Sequence, residues 1–363
     1  MILKVANMSK HYHHIQALKD VSFNCVSGEF MVVLGPPGAG KTTLLKIIAG
    51  LEETSAGDIY FGERLFTEVE PKDRDVSMAF EGYALYPHLT VFENIAHPLR
   101  IRGGYKEERI KELIEQVTVM LKIEQLWERK TNQLSGGQKQ RVALARALVR
   151  EKPNMLLMDE PIAHLDAALR HWLRAELKKF VKGKGVTTIY STPDYQEALA
   201  MGDRILVLFE GQLKQIGKPE EILYKPQCSE VAAFIGDPPT NVVEVAMNRE
   251  NGRFVLEFEG NELPVPEAWL NNPNIIGRDR FLLGLRPSDI SICKEKVAVG
   301  FKAEVYVSEA MQRKQVITLK VGSKLIKANA AHALKADIGD QVWGRIDMEK
   351  ALLFDPETKK AIC

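Results

Sequence analysis

Eight residues, Gly35-Pro36-Pro37-Gly38-Ala39-Gly40-Lys41-Thr42, restrict this chain more than any other feature of its sequence. They satisfy G-x-x-x-x-G-K-[ST], and their flanks are those the pattern needs. Phe30-Met31-Val32-Val33-Leu34 precedes them, an unbroken apolar run of the kind found in a parallel strand buried on both faces. Thr43-Leu44-Leu45-Lys46-Ile47-Ile48-Ala49 follows and reads as a helix closed by Gly50. Strand, glycine loop and helix start together aim backbone N–H groups and a positive helix end at phosphates. In that cradle Lys41 is expected to reach the outer phosphates and the Thr42 hydroxyl to ligate magnesium. A chance glycine turn would not bring strand, full octet and helix with it, so a nucleoside triphosphate site is predicted.

A chain of 363 residues has room for two or three domains and a large core. Its 49 basic and 48 acidic residues nearly cancel, so no bulk field draws it to nucleic acid or lipid, and no nucleic-acid partner is expected. Cys25, Cys228, Cys293 and Cys363 are scattered without a C-x-x-C pair and read as reduced, isolated thiols. Met1-Ile2-Leu3-Lys4-Val5 lacks the apolar core of a signal peptide, and no apolar run approaches a membrane span. A cytoplasmic protein carried to a membrane by other subunits is the expectation.

Taken in order, residues 2–5 and 21–25 read as strands. His11-Tyr12-His13-His14 between them reads as a solvated loop rather than a metal site, because no carboxylate or cysteine completes a ligand set. The Tyr12 ring, ahead of the phosphate loop, is suited either to stack on an adenine or simply to pack. A hairpin turn at residues 58–63 and a strand at 75–80 lead into the loop Glu81-Gly82-Tyr83-Ala84-Leu85-Tyr86-Pro87-His88, whose aromatic content marks a contact surface. From Lys106 the pattern is helical, with Ile110, Leu113, Ile114, Val117 and Leu121 on one face.

Leu134-Ser135-Gly136-Gly137-Gln138 opens directly into a helical run, 139–148, and makes a second helix start suited to an anion. Met155-Leu156-Leu157-Met158-Asp159-Glu160 is an apolar strand ending in two carboxylates. Asp159 suits magnesium and Glu160 suits an attacking water. A helix at 167–181, a strand at 186–190, a loop Ser191-Thr192-Pro193-Asp194, a helix to Met201 and a hairpin at 205–216 follow. Gly236-Asp237-Pro238-Pro239 then breaks the pattern. Beyond it short alternating segments at 241–246, 253–258, 280–285, 300–308, 315–321 and 341–346 predict a small antiparallel barrel or two.

This set of motifs resembles the ATP-hydrolysing subunit of ABC transporters, in particular the bacterial import subunits for sugars and polyols. The stretch from Leu134 to Arg141 carries most of the resemblance, with Gly35–Thr43 and Asp159-Glu160. Residues 235–241, Gly284-Leu285-Arg286-Pro287 and Leu353-Phe354-Asp355-Pro356 resemble the family's C-terminal regulatory domain. The resemblance implies an α/β P-loop nucleotide-binding domain over 1–235, with a helical subdomain at about 83–150, and an all-β OB-like regulatory domain over 236–363. It implies ATP and magnesium as ligands. Tyr12 becomes the adenine-stacking ring and Gly35, Pro36, Pro37, Gly38, Ala39, Gly40, Lys41, Thr42 and Thr43 the phosphate loop. Thr42 and Asp159 become magnesium ligands and Glu160 the catalytic carboxylate. Two such domains pair head to tail in this family, so Ser135, Gly136, Gly137, Gln138 and Asp166 are expected to serve the partner's nucleotide. The loop from Tyr83 to Ile95 is expected to face transmembrane permease subunits, which a solute-binding protein supplies.

Two positions depart from the family pattern. Glu81 stands where a glutamine that ligates magnesium is usual. Pro193 stands where a histidine that contacts the γ-phosphate is usual, and proline offers neither an imidazole nor an N–H. Glu81 keeps an oxygen for the metal but adds charge and cannot donate. His164 lies on the interface loop and matches no catalytic position. The expected function is thus an importer ATPase subunit whose own site is impaired, paired with a different ATP-binding subunit and serving carbohydrate or polyol uptake. A competent homodimeric importer ATPase and a non-transport regulatory ABC protein are the alternatives.

Overall fold

A computed structural model describes residues 3–250, 253–310, 315–330 and 336–363. The chain divides into two compact units, 1–220 and 221–363. The Gly236–Pro239 break, expected at the edge of the second domain, falls inside the second unit.

The first unit contains two sheets. One is antiparallel, in the order β2 (Ile15–Cys25), β1 (Leu3–Tyr12), β4 (Ala56–Phe61) and β5 (Arg64–Leu65). The other has six strands, in the order β10 (Gln212–Gly217), β9 (Arg204–Phe209), β3 (Phe30–Leu34), β8 (Thr188–Thr192), β7 (Met155–Asp159) and β6 (Val76–Ala79). Its strands are parallel except β10, which pairs antiparallel with β9. All five residues of β3, β7 and β8 are buried, as two-sided burial of a parallel strand requires. Helix α1 (Lys41–Ala49) belongs to the core shared by the two sheets. Its Leu44, Leu45, Ile47 and Ile48 pack in one cluster with Leu3 and Val5 of β1, Met31 and Val33 of β3, Leu157 of β7 and Ile189 of β8. Held in the core along most of its length, α1 fixes where the loop before it can sit.

Between β6 and β7 come three helices, α2 (Val91–Arg102), α3 (Glu107–Met120) and α4 (Gly136–Leu148). The predicted stripe of α3, Ile110, Leu113, Ile114 and Val117, is buried. The predicted loop from Tyr83 to Ile95 is shorter than expected, because α2 begins at Val91. Thr90 caps it, accepting from Glu93 N at 3.2 Å, while the Glu93 carboxylate accepts from Thr90 N at 2.7 Å. That T-x-x-E capping box was visible in the sequence. After β7 run α5 (Ala167–Lys184), β8, α6 (Tyr195–Met201), β9 and β10.

The first hairpin is also longer than predicted. Register shifts at Val5/Met8, Met8/Lys10 and Lys10/His11 break the period-two alternation in β1, which is why the sequence showed only fragments of it.

The second unit opens with α7 (Pro219–Tyr224) and α8 (Ser229–Phe234). It then forms two five-stranded antiparallel sheets. In one, β13 (Asn261–Pro264), β12 (Arg253–Phe258), β11 (Asn241–Glu250), β14 (Arg280–Leu285) and β20 (Leu352–Phe354) lie in that order, with α9 (Glu267–Leu270) following β13. In the other the order is β15 (Ile290–Cys293), β19 (Gln341–Ile346), β16 (Gly300–Ala310), β17 (Gln315–Val321) and β18 (Lys324–Ala330). One apolar cluster joins the sheets, with Phe258 against Phe301 edge-to-face at 6.0 Å. Among the described residues this unit is strand-rich, its helices being these and two 3-10 turns, Pro287–Asp289 and Met348–Lys350.

Candidate functional site

The phosphate loop lies between the carboxyl end of β3 and the start of α1, the edge where open α/β sheets bind ligands. Close approach demands glycine at two of its positions. A Cβ on Gly35 would lie 2.3 Å from the Leu208 carbonyl oxygen, and one on Gly40, at φ 98°, 2.5 Å from that of Ala17. Gly40 in the left-handed region then turns the chain into α1. Lys41 is only 4% exposed and folds back over the loop. Its ammonium donates to the Gly35 carbonyl at 3.0 Å and the Pro36 carbonyl at 3.1 Å, and lies 3.4 Å from Glu160 Oε1.

Glu160 follows β7 at φ 45°, a left-handed conformation unusual for a glutamate. Three contacts hold it there. Its N–H donates to the Ser191 carbonyl and to Ser191 Oγ, each at 3.2 Å, and its carbonyl accepts from Gln140 Nε2 at 3.1 Å. Gln140 Oε1 in turn accepts from His164 N at 3.2 Å. Asp159, 2% exposed, accepts from Ser191 Oγ at 2.6 Å. Neither Ser191 nor Gln140 was singled out from sequence. Gln140 did leave a signal, since it shares the buried stripe of α4 with Ala143, Leu144 and Ala147, where a polar side chain needs a partner.

A cavity of about 670 Å³ opens at the loop. Pro37, Gly38, Gly40, Lys41, Thr42 and Thr43 line it, together with three carboxylates, Glu81, Glu160 and Glu210. No histidine is in its lining. Among the described residues no three His, Cys, Asp or Glu side chains converge on a metal position. Magnesium fits this donor set nonetheless, because it binds through one or two protein oxygens and completes its shell with phosphate and water. Thr42, in the lining, and Asp159, buried and outside it, are hard oxygens of that kind.

Pro193 is half-buried and outside the cavity lining. The turn around it is tightly held. Asp194 caps α6, accepting from Gln196 N at 2.8 Å and Glu197 N at 3.2 Å. Arg174 of α5 bridges Asp194 at 2.7 Å and Glu197 at 3.3 Å, and Thr192 Oγ1 donates to Glu197. Burial pushes the Glu197 carboxyl above its ordinary range. Tyr12, also outside the lining, has its hydroxyl against Thr43 and Glu52, and burial raises its phenol.

The second helix start lies apart from this cavity's lining. Ser135 caps α4, accepting from Gln138 N at 3.3 Å while Gln138 Oε1 accepts from Ser135 N at 2.9 Å. A Cβ on Gly137 would lie 3.2 Å from Leu165 Cδ2, and one on Gly136 3.7 Å from the Tyr83 hydroxyl. Tyr83 meets His164 edge-on at 6.4 Å. Asp166 caps α5, accepting from Leu169 N at 2.9 Å. Ser135–Gln138 and the loop to Asp166 thus form one adjoining surface.

A further cleft, about 730 Å³, lies among β6, α2 and α4. Tyr86 stacks on His97 at 4.5 Å, and Ile101 is 75% exposed. Arg146 lies over the Tyr86 ring at 5.4 Å and donates to the carbonyls of Ala84 at 2.9 Å and Tyr83 at 3.3 Å. Burial, with Arg146 and Arg100 nearby, lowers the affinity of His97 for a proton. No described helix is long and apolar enough to cross a membrane.

Comparison with known proteins accords with this geometry. The family model described as ABC transporter matches residues 18–163. The trehalose/maltose import ATP-binding protein MalK of Thermococcus litoralis is 40% identical over 371 residues, covering 99% of each chain. The sn-glycerol-3-phosphate import ATP-binding protein UgpC of Chromobacterium violaceum is 39% identical over 362 residues, covering 99% of this chain and 96% of that one. A bacterial ABC transporter cassette solved as a dimer matches 60% of this chain and 98% of its own, with a TM-score of 0.56 and 33% identity. The same cassette is also solved in a post-hydrolysis state bound to ADP and Pi, with the same scores.

Proposed function

The chain belongs to the ABC transporter family, among the ATP-binding subunits of importers, and from that premise we propose that it powers solute uptake mainly by completing another subunit's site. The observation carrying this reading is the cavity wall. It presents Glu81, Glu160 and Glu210 and no imidazole, while the family's histidine position holds Pro193.

ATP binds at the loop when Lys41 exchanges its contacts with Glu160 and the Gly35 and Pro36 carbonyls for phosphate oxygens. Thr42 and Asp159 would hold magnesium, which neutralises charge on the outer phosphates when bound. Glu160, released from Lys41, is left to orient or deprotonate a water. Nothing at position 193 donates toward the terminal phosphate, and Glu81 adds repulsion in place of a donor. Hydrolysis in this chain's own cavity is therefore slow. Ser135–Gln138 and Asp166, intact and on a surface of their own, are free to close on a nucleotide held by a second, different ATP-binding subunit.

The cleft between α2 and α4 suits a helix of a transmembrane permease subunit. Its wall offers Ile101, Pro98, the Tyr86–His97 pair and the Arg146 guanidinium. Docking there would hold the chain at the inner face of the membrane. The names of the relatives support carbohydrate or glycerol-type solutes as cargo, delivered by a solute-binding protein. The all-β unit over residues 221–363 would serve regulation, the role of the family's OB-like domain.

Steady-state ATPase of the assembled transporter tests the division of labour. Gly136→Asp, which places a carboxylate at the helix start, should silence it, and Glu160→Gln in this chain should cost much less. Complete loss of turnover from Glu160→Gln alone would refute the reading in favour of a competent site.

A further inference from the structure

Lys10 is 8% exposed, a burial that a lysine rarely accepts without partners. Its ammonium pairs with Glu52 Oε1 at 2.7 Å, donates to the Glu53 carbonyl at 2.6 Å and lies over the Tyr12 ring at 4.9 Å. Glu52 closes the circle, since its carboxylate also meets the Tyr12 hydroxyl. The same hydroxyl meets Thr43, and Thr43 lines the nucleotide cavity. A continuous set of contacts thus runs from the cavity wall through Thr43 to Tyr12, Glu52 and Lys10, and back onto the ring.

We propose that Lys10 and Glu52 are positioning residues for the nucleobase, which hold the Tyr12 ring as a preformed stacking platform. This rests on the reading of Tyr12 as the ring that receives adenine. Two physical effects follow from the arrangement. The ring is fixed at its hydroxyl end and on one face, so stacking a base does not have to pay for ordering it. The cation on one face also draws π density toward itself, which lessens the negative potential that the opposite face presents to an electron-rich purine. Lys10 covers one face, leaving the other for the base. Neither residue needs to touch the nucleotide.

Titration calorimetry of the full chain with Mg-ATP and with Mg-tripolyphosphate separates base from phosphate recognition. Base stacking on an aromatic ring predicts that the wild type prefers ATP by about 5- to 150-fold. Tyr12→Ala should reduce that ratio to near one. Lys10→Met and Glu52→Gln should each lower it by about 2- to 10-fold, with tripolyphosphate affinity unchanged. Should Lys10→Met not fold, Glu52→Gln and Tyr12→Phe, which loses only the hydroxyl anchor, decide the matter in the same assay. If Tyr12→Ala keeps the ratio, Tyr12 is no base platform and both readings fall. If Tyr12→Ala collapses the ratio while Glu52→Gln and Tyr12→Phe leave it within twofold, the platform stands and the positioning role is overturned. Equal losses on both ligands would mark these residues as structural and overturn the proposal as well.

Discussion

Pro193→His offers the sharpest test of the impaired-site reading, because it restores a group instead of removing one. Thr192, Asp194, Arg174 and Glu197 hold this turn by side-chain contacts that do not involve residue 193. The substitution should therefore leave the turn in place. Its stability cost is the lost rigidity of the unfolded chain, about 0.4–1 kcal/mol. The kinetic gain is set by what a single preorganised donor contributes to a developing charge, about 10²- to 10³-fold. Glu81 stays as a repulsive neighbour of the phosphates, so recovery should fall short of that ceiling, at about 10- to 100-fold. Phosphate release is measured on the purified chain, and on a transporter whose other ATP-binding subunit has been inactivated. Adding Glu81→Gln should raise turnover further, and adding Glu160→Gln should abolish the gain. If Pro193→His binds Mg-ATP as the wild type does and still turns over within twofold of it, the missing imidazole is not what limits this site.

Three further outcomes are expected. Lys41→Ala removes a buried cation that would make at least two charge-assisted hydrogen bonds to phosphate. Calorimetry should show Mg-ATP affinity falling about 10²- to 10³-fold, and equal affinity would refute the loop assignment. Lys184, which donates to the Leu148 carbonyl at 2.8 Å and the Arg150 carbonyl at 2.9 Å, is lowered by burial to about 8 from an ordinary 10.5. The unfolded chain then holds more protons between those values, so this group's penalty is full below pH 8 and is relieved as pH rises through that window. Chemical denaturation should accordingly show a stability increment over pH 8–10.5 that Lys184→Gln lacks. Residues 1–220, produced alone, should fold and bind Mg-ATP within about threefold of the full chain, since every loop and cavity residue lies within that unit. A folded fragment that does not bind would show that the second unit takes part in nucleotide binding.

The features that the sequence disclosed are those whose cause is local. Gly35–Thr42 could be read because the loop needs glycine where a Cβ would strike Leu208 and Ala17, and because β3 before it is apolar along its whole length. The α3 stripe was legible for the same reason, one face in a core and a period of 3.6. Segments whose pattern is broken or very short were lost. Register shifts scramble the alternation of β1, and β13, β15 and β20 offer only three or four residues each. The capping box of α2, Thr90 with Glu93, is equally local but sits at the end of an aromatic loop whose composition masks it.

Sequence alone marked the groups suited to phosphate chemistry, since Lys41, Thr42, Asp159 and Glu160 are specified by residue type at fixed offsets within one strand–loop–helix or strand end. It also marked Glu81 and Pro193 as departures, because an alignment in register needs no coordinates. Tertiary structure decided what surrounds those groups. Ser191 reaches Asp159 from 32 positions away, Gln140 reaches the Glu160 carbonyl from 20, and Lys10 reaches Glu53 from 43. Such partners satisfy buried polar atoms whose neighbours depend on how strands and helices from distant parts of the chain come together. No periodicity or spacing in the sequence encodes that directly, so the candidate groups could be named from the chain and the contacts that hold them only from the fold.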